Sequence, residues 1–106
     1  MSKYLLQVSY TADGARGLLK DGGSKRRQVA EQAVKSAGGS MEAFYYTYGQ
    51  DDVVIICDLP DAASGIALSL ATNASGAVSL TTTPLITPEE VDAACKKVPA
   101  YRAPGA

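Results

Sequence analysis

Histidine is absent from this chain of 106 residues, and that one absence removes whole classes of chemistry. Without it there is no Ser-His-Asp or Cys-His catalysis, no histidine-ligated haem and none of the common zinc sites. Any chemistry must come from Tyr, Asp, Glu, Lys, Arg or the backbone. Cysteine is scarce. Cys57 and Cys95 lie far apart, and Cys57 sits in an apolar run where a thiol behaves as a small hydrophobe, so no disulfide is expected. Cys95, beside Lys96 and Lys97, has the cationic neighbours of a reactive thiol.

Long apolar runs are missing too. Nothing approaches the ~18 residues of a membrane helix. The first ten residues, MSKYLLQVSY, lack a long apolar segment with a cleavage site, so a signal peptide is not expected and a cytoplasmic location is the default. Nor is there an excess of either charge. Ten Lys and Arg against eleven Asp and Glu leave a net charge of −1, and the longest basic run is Lys25-Arg26-Arg27, read as a solvated first helical turn. Nucleic-acid binding by phosphate neutralisation is therefore not expected. Gly22-Gly23-Ser24 opens a helix but lacks the lysine spacing of a P-loop. No cofactor and no metal is expected.

What is present suits a soluble domain: 46% hydrophobic and 20% charged residues. A chain of this length forms one core and removes roughly two thirds of its unfolded surface from water. Six tyrosines stand against one phenylalanine.

The elements follow from period and punctuation. Residues 3–10 alternate as a strand with Tyr4, Leu6, Val8 and Tyr10 on its apolar side. Residues 11–37 read as an interrupted helix: Thr11 and Asp13 can cap the first piece, which Gly14 and Gly17 weaken. Asp21-Gly22-Gly23 breaks it, and Ser24 caps a second piece that Gly38-Gly39 ends. Residues 40–48 and 52–59 are two strands joined by Gly49-Gln50-Asp51. In the register predicted across that turn Tyr46 faces Val54, Phe44 faces Ile56 and Tyr45 faces Ile55. Asp61 caps a helix with the stripe Ala63, Ile66, Ala67, Leu70, Ala71 and Ala74. Residues 77–85 form a fourth strand. Thr87-Pro88-Glu89-Glu90 starts a short helix to about Lys97. Residues 1–90 make the domain, and 91–106 a C-terminal helix and flexible tail.

Strand, helix, hairpin, helix, strand is the α+β, ferredoxin-like βαββαβ order: a four-stranded antiparallel sheet with two helices on one face. Both faces of strands two and three are apolar, so the face without helices should also be covered. Sheet-to-sheet packing with a second copy, giving a homodimer or higher oligomer, is the natural cover.

The chain also resembles the GYD domain family. The residues that carry the resemblance are Tyr4-Leu5-Leu6 through Tyr10-Thr11, Gly38-Gly39, Phe44-Tyr45-Tyr46-Thr47, Gly49-x-x-Asp52-Val53-Val54, Pro60-Asp61 and Thr81-Thr82-Thr83. They cover residues 3 to about 90. The resemblance implies a small bacterial protein of dimeric α/β barrel shape, and it implies no activity. One position departs: Asp51 stands where the family's Gly-Tyr-Asp element has tyrosine.

Candidate pocket residues are Tyr10, Tyr46 and Tyr48, with Asp52 near Tyr48, and the strand polar residues Gln7 and Thr81. Adjacent Asp51 and Asp52 point to opposite sides of a strand and are poorly placed for paired acid-base work. Two functions remain open. One is an oligomeric module for assembly or for binding a small apolar molecule. The other, by analogy of fold, is a cofactor-independent oxygenase or isomerase acting on a small aromatic or lactone substrate, in which Tyr or Asp moves a proton.

Overall fold

The computed structural model describes residues 1–47 and 49–106. Its elements are β1 (Ser2–Tyr10), α1 (Ala12–Asp21), α2 (Gly23–Ser36), β2 (Ser40–Tyr46), β3 (Val53–Leu59), α3 (Ala62–Ala74), β4 (Val78–Leu85) and α4 (Pro88–Cys95). The protein is α+β. Four strands lie in the order β2-β3-β1-β4, every neighbouring pair antiparallel.

Alternation decides which side is core. Tyr4, Leu6 and Val8 of β1 stand opposite Cys57, Ile55 and Val53 of β3, and all six are buried. Leu80 of β4 and Leu59 complete the sheet's contribution, and Val34 of α2 seals it from above. Leu68 of α3 packs on the same cluster, so α2 and α3 share one face of the sheet. The other face carries Leu5, Gln7, Val54, Ile56, Ala43, Tyr45, Thr81 and Thr83, with no helix over it.

The first crossover is interrupted as expected, but its cap is not Ser24. Gly22, at φ +84°, is the N-cap of α2 and makes no side-chain bond. Its left-handed backbone turns the chain sharply enough that the helix restarts at once, with Ser24 already inside it. At the far end Gly38 has φ +87°. Its N–H reaches the Lys35 carbonyl at 2.9 Å, and Gly39 N–H reaches the Val34 carbonyl at 3.0 Å, a Schellman stop.

The hairpin register differs by one residue from the expected one. Tyr46 faces Val53, Tyr45 faces Val54 and Phe44 faces Ile55, with a bulge between Met41 and Ala43. Strand β2 ends at Tyr46 and β3 begins at Val53. The closing pair is Thr47 and Asp52, whose N–H and carbonyl meet at 2.9 Å. A shift of one exchanges faces, and here it puts Phe44 and Tyr46 on the buried side of β3.

Helix α3 is also rotated from its expected setting. Ile66 and Leu70, predicted to face the core, are 61% and 66% exposed. Gly65 and Leu68 turn inward instead. Asn73 fixes that rotation: its side-chain amide donates to the Leu80 carbonyl at 3.1 Å and accepts from Leu80 N–H at 2.7 Å. Two bonds to the strand outrank a periodic stripe of small apolar residues.

Everything from Ile86 onward is exposed. Helix α4 is held by a reciprocal capping box between Thr87 and Glu90 and projects from the body. The molecule measures 56 × 32 × 23 Å with a radius of gyration of 16.9 Å, where a compact chain of this length would have about 13 Å.

Candidate functional site

A cavity of about 230 Å³ lies between the sheet and the helices. Leu6, Val8, Val53 and Ile55 form its floor, Val29 and Ala33 of α2 and Leu68 of α3 its walls, and Tyr10 and Arg26 its polar rim. It exists because the helices bring little bulk to the space above the strands: Ala30, Ala33, Ser75 and Ala77 line it where larger residues would fill it.

Arg26 arrives there by helical spacing. It shares a face of α2 with Val29, Ala30 and Ala33, three, four and seven residues on. Its side chain is one-third exposed. The nearest carboxylate, Asp21, stands at 3.9 Å, beyond hydrogen-bond distance. Among the described residues no acceptor receives a hydrogen bond from its guanidinium. Sequence reading missed this residue by treating Lys25-Arg26-Arg27 as one solvated turn; the apolar residues one and two turns further along were the signal.

Of the six residues expected to form a pocket, those described divide between two sides of the sheet. Tyr10 and Tyr46 come together on the helix side. The Tyr46 phenol donates to the Gly23 carbonyl at 3.0 Å, and its ring meets Phe44 edge-on at 5.2 Å between centroids. Tyr46 does not line the cavity; it braces the Tyr10 side of the rim. Its pKa is pushed up to about 12, first by burial and then by the adjoining Tyr10 phenol, against the pull of the Arg26 cation. At neutral pH it is a neutral donor.

Gln7 and Thr81 are cross-strand partners on the opposite face and do not join the cavity. The Gln7 amide donates to the Asp51 carboxylate at 3.0 Å, and the Ser9 hydroxyl reaches the same group at 3.4 Å. Asp51 thus ties the hairpin loop to β1. Asp52 does the same from the other side, accepting Tyr10 N–H at 2.7 Å, and its own N–H reaches the Val8 carbonyl at 2.8 Å. The expected meeting of Asp52 with Tyr48 falls outside the described residues. At the other end of the helix-free face, Lys3 pairs with Glu42 at 2.9 Å and Asp58 at 3.3 Å.

A wider trough of about 500 Å³ runs between α3 and β4, lined by Tyr4, Gly65, Ile66, Leu70, Thr82 and Pro84 among others. Among the described residues the Thr82 hydroxyl is buried there without a hydrogen-bond partner. No charged side chain lines this trough, so nothing in it fixes the orientation of a polar ligand.

The cavity therefore offers an apolar space the size of a small ring, one cation and one phenol at its edge, and no carboxylate base on its walls. The family model for the GYD domain matches residues 4–95. No curated protein matches the chain, and no solved structure does.

Proposed function

The chain belongs to the GYD domain family, and from that premise we propose that it is a homo-oligomeric module that binds a small, largely apolar molecule between its sheet and its helices. The observation that carries this reading is the cavity edged by Arg26 and Tyr10. An engineered apolar cavity of about 150 Å³ holds benzene, so 230 Å³ accommodates a ring with a substituent. A solid core would have argued for assembly alone.

The subunit is read as the ferredoxin-like unit of a dimeric α/β barrel. The strand order β2-β3-β1-β4 supports this, as does a helix-free face with Leu5, Val54, Ile56 and Ala43 at its centre. A second copy laid on that face removes the apolar centre from water. Two free thiols, Cys95 exposed and Cys57 buried, fit a reducing compartment such as the cytoplasm.

The enzyme reading draws on the Tyr10–Tyr46 pair beside Arg26. A phenol pushed up to about 12 holds its proton at neutral pH and is no base, while Asp52 spends its carboxylate on Tyr10 N–H at the sheet's end. Binding without turnover is the better fit. Native mass spectrometry tests it: the expected result is a multiple of the subunit mass carrying a small mass that leaves on denaturation. A bare single subunit at every concentration overturns the proposal.

A further inference from the structure

We propose that the cavity takes a monocarboxylate with an apolar body about the size of one aromatic ring, Arg26 serving as its counter-ion. The inference rests on the reading of this cavity as a ligand site and goes further by fixing the ligand's charge and size.

Two observations point to an anion, and a third shows how the cation is held in place. First, among the described residues Arg26 is the only charged one that lines the cavity. Second, its guanidinium is left without a hydrogen-bond acceptor among the described residues, Asp21 staying at 3.9 Å. A guanidinium remains charged at any physiological pH and presents a planar fork of N–H donors, a shape that a carboxylate matches with two parallel bonds. A neutral guest would cover the aliphatic walls and leave that fork to water and the long ion pair with Asp21, whereas a carboxylate gives it a direct acceptor.

Third, the first turn of α2 is braced where Arg26 leaves it. Tyr46 donates to the Gly23 carbonyl at 3.0 Å, and Arg26 N–H bonds the Gly22 carbonyl at 3.3 Å. The ring of Tyr46 lies so close to Gly23 that an added Cβ would sit 3.2 Å from it. Tyr46 is thus a positioning residue: it fixes the turn that carries the cation without touching the guest. Size follows from volume. The walls are fixed by Leu6, Ile55 and Leu68, and 230 Å³ is half again the cavity known to hold benzene. A benzoate or a short alkanoate fits; a two-ring acid or a long-chain fatty acid does not. Val29, 41% exposed, marks the lip through which the guest enters.

The test is a calorimetric titration of the purified protein with benzoate, with benzyl alcohol as the neutral analogue of the same shape, and with 2-naphthoate as the oversized acid. The expected order is benzoate tighter than benzyl alcohol by roughly tenfold or more, the difference made by a charge-assisted fork, with 2-naphthoate weakest. Arg26→Gln should remove the difference between benzoate and benzyl alcohol measured on the same variant, and Arg26→Lys should recover part of it. Benzyl alcohol binding as tightly as benzoate overturns the inference and leaves the cavity a ligand site. If none of the three probes binds, the cavity reading falls with it. The comparison of probes on the unmodified protein decides the matter even where a variant fails to fold.

Discussion

A methyl group placed on Gly14 would lie 1.9 Å from the Ala77 carbonyl oxygen and 3.0 Å from the Tyr10 ring. That glycine is where α1 crosses the start of β4. Thr11 fastens the same crossing, its N–H meeting the Ala77 carbonyl at 3.0 Å while its side chain caps the helix. Gly14→Ala should raise helix propensity and still destabilise the protein by about 3 kcal/mol, the overpacking penalty exceeding the ~1 kcal/mol of propensity gained. Chemical denaturation checks it, and a variant as stable as the parent would refute the crossing. In the sequence Gly14 reads as a helix weakener, because the carbonyl that requires it comes from a distant strand. Tyr10 and Tyr46 were legible as pocket candidates from composition and strand positions; that Tyr10 lines the cavity while Tyr46 bonds the Gly23 carbonyl outside it was not. Arg26 was hidden by its basic neighbours.

Tyr46 also gives the protein an alkaline limit. Its folded pKa of about 12 stands above its ordinary 10.0, so across that interval the native state keeps a proton that the unfolded state has lost. The stability it contributes is whole below pH 10 and drains as pH rises toward 12. Tyr46→Phe should cost about 1 kcal/mol at neutral pH through the lost bond to Gly23. Urea midpoints measured from pH 8 to 12 should fall less steeply in this variant than in the parent.

Among the elements, the hairpin shows most clearly where local reasoning stops. Both strands, their break and their apolar character are visible in residues 40–59. The register is not, because the loop is closed by partners from outside it. Gln7, Ser9 and the Tyr10 amide of β1 hold the carboxylates of Asp51 and Asp52, which selects Thr47 and Asp52 as the last pair. Helix α3 teaches the same lesson. Its stripe of alanines with Ile66 and Leu70 is the clearest period in the chain, and it faces water because Asn73 is bonded to Leu80 on the edge strand. Removing that amide leaves a backbone donor and acceptor at a buried residue without partners. Asn73→Ala is expected to cost about 1–3 kcal/mol and to speed exchange of the Leu80 amide proton, readable by hydrogen exchange.

At the scale of the whole molecule, the four strands, the interrupted crossover and the one-sided helix layer could be read from order and period alone. Two broad features needed coordinates. One is the void above β1 and β3, which depends on how small residues from three elements happen to coincide. The other is the arm from Ile86 to Ala106, whose helix is well specified by its capping box yet rests on nothing. A short amphipathic helix after a sheet is ordinarily expected to fold back on it. Here Thr87, extended at φ −82° and ψ 159°, and Pro88 set its departure angle before any packing contact forms.

That arm separates how large the protein looks from how firmly it is built. Drag depends on reach, and the arm lengthens the particle. Resistance to urea depends on the surface that folding hides, and a segment already wet in the native state adds none. The chain should sediment more slowly than a sphere of its mass, yet lose structure with the denaturant slope of a shorter chain ending near Leu85. Deleting residues 98–106 should speed its sedimentation relative to mass and leave that slope where it was.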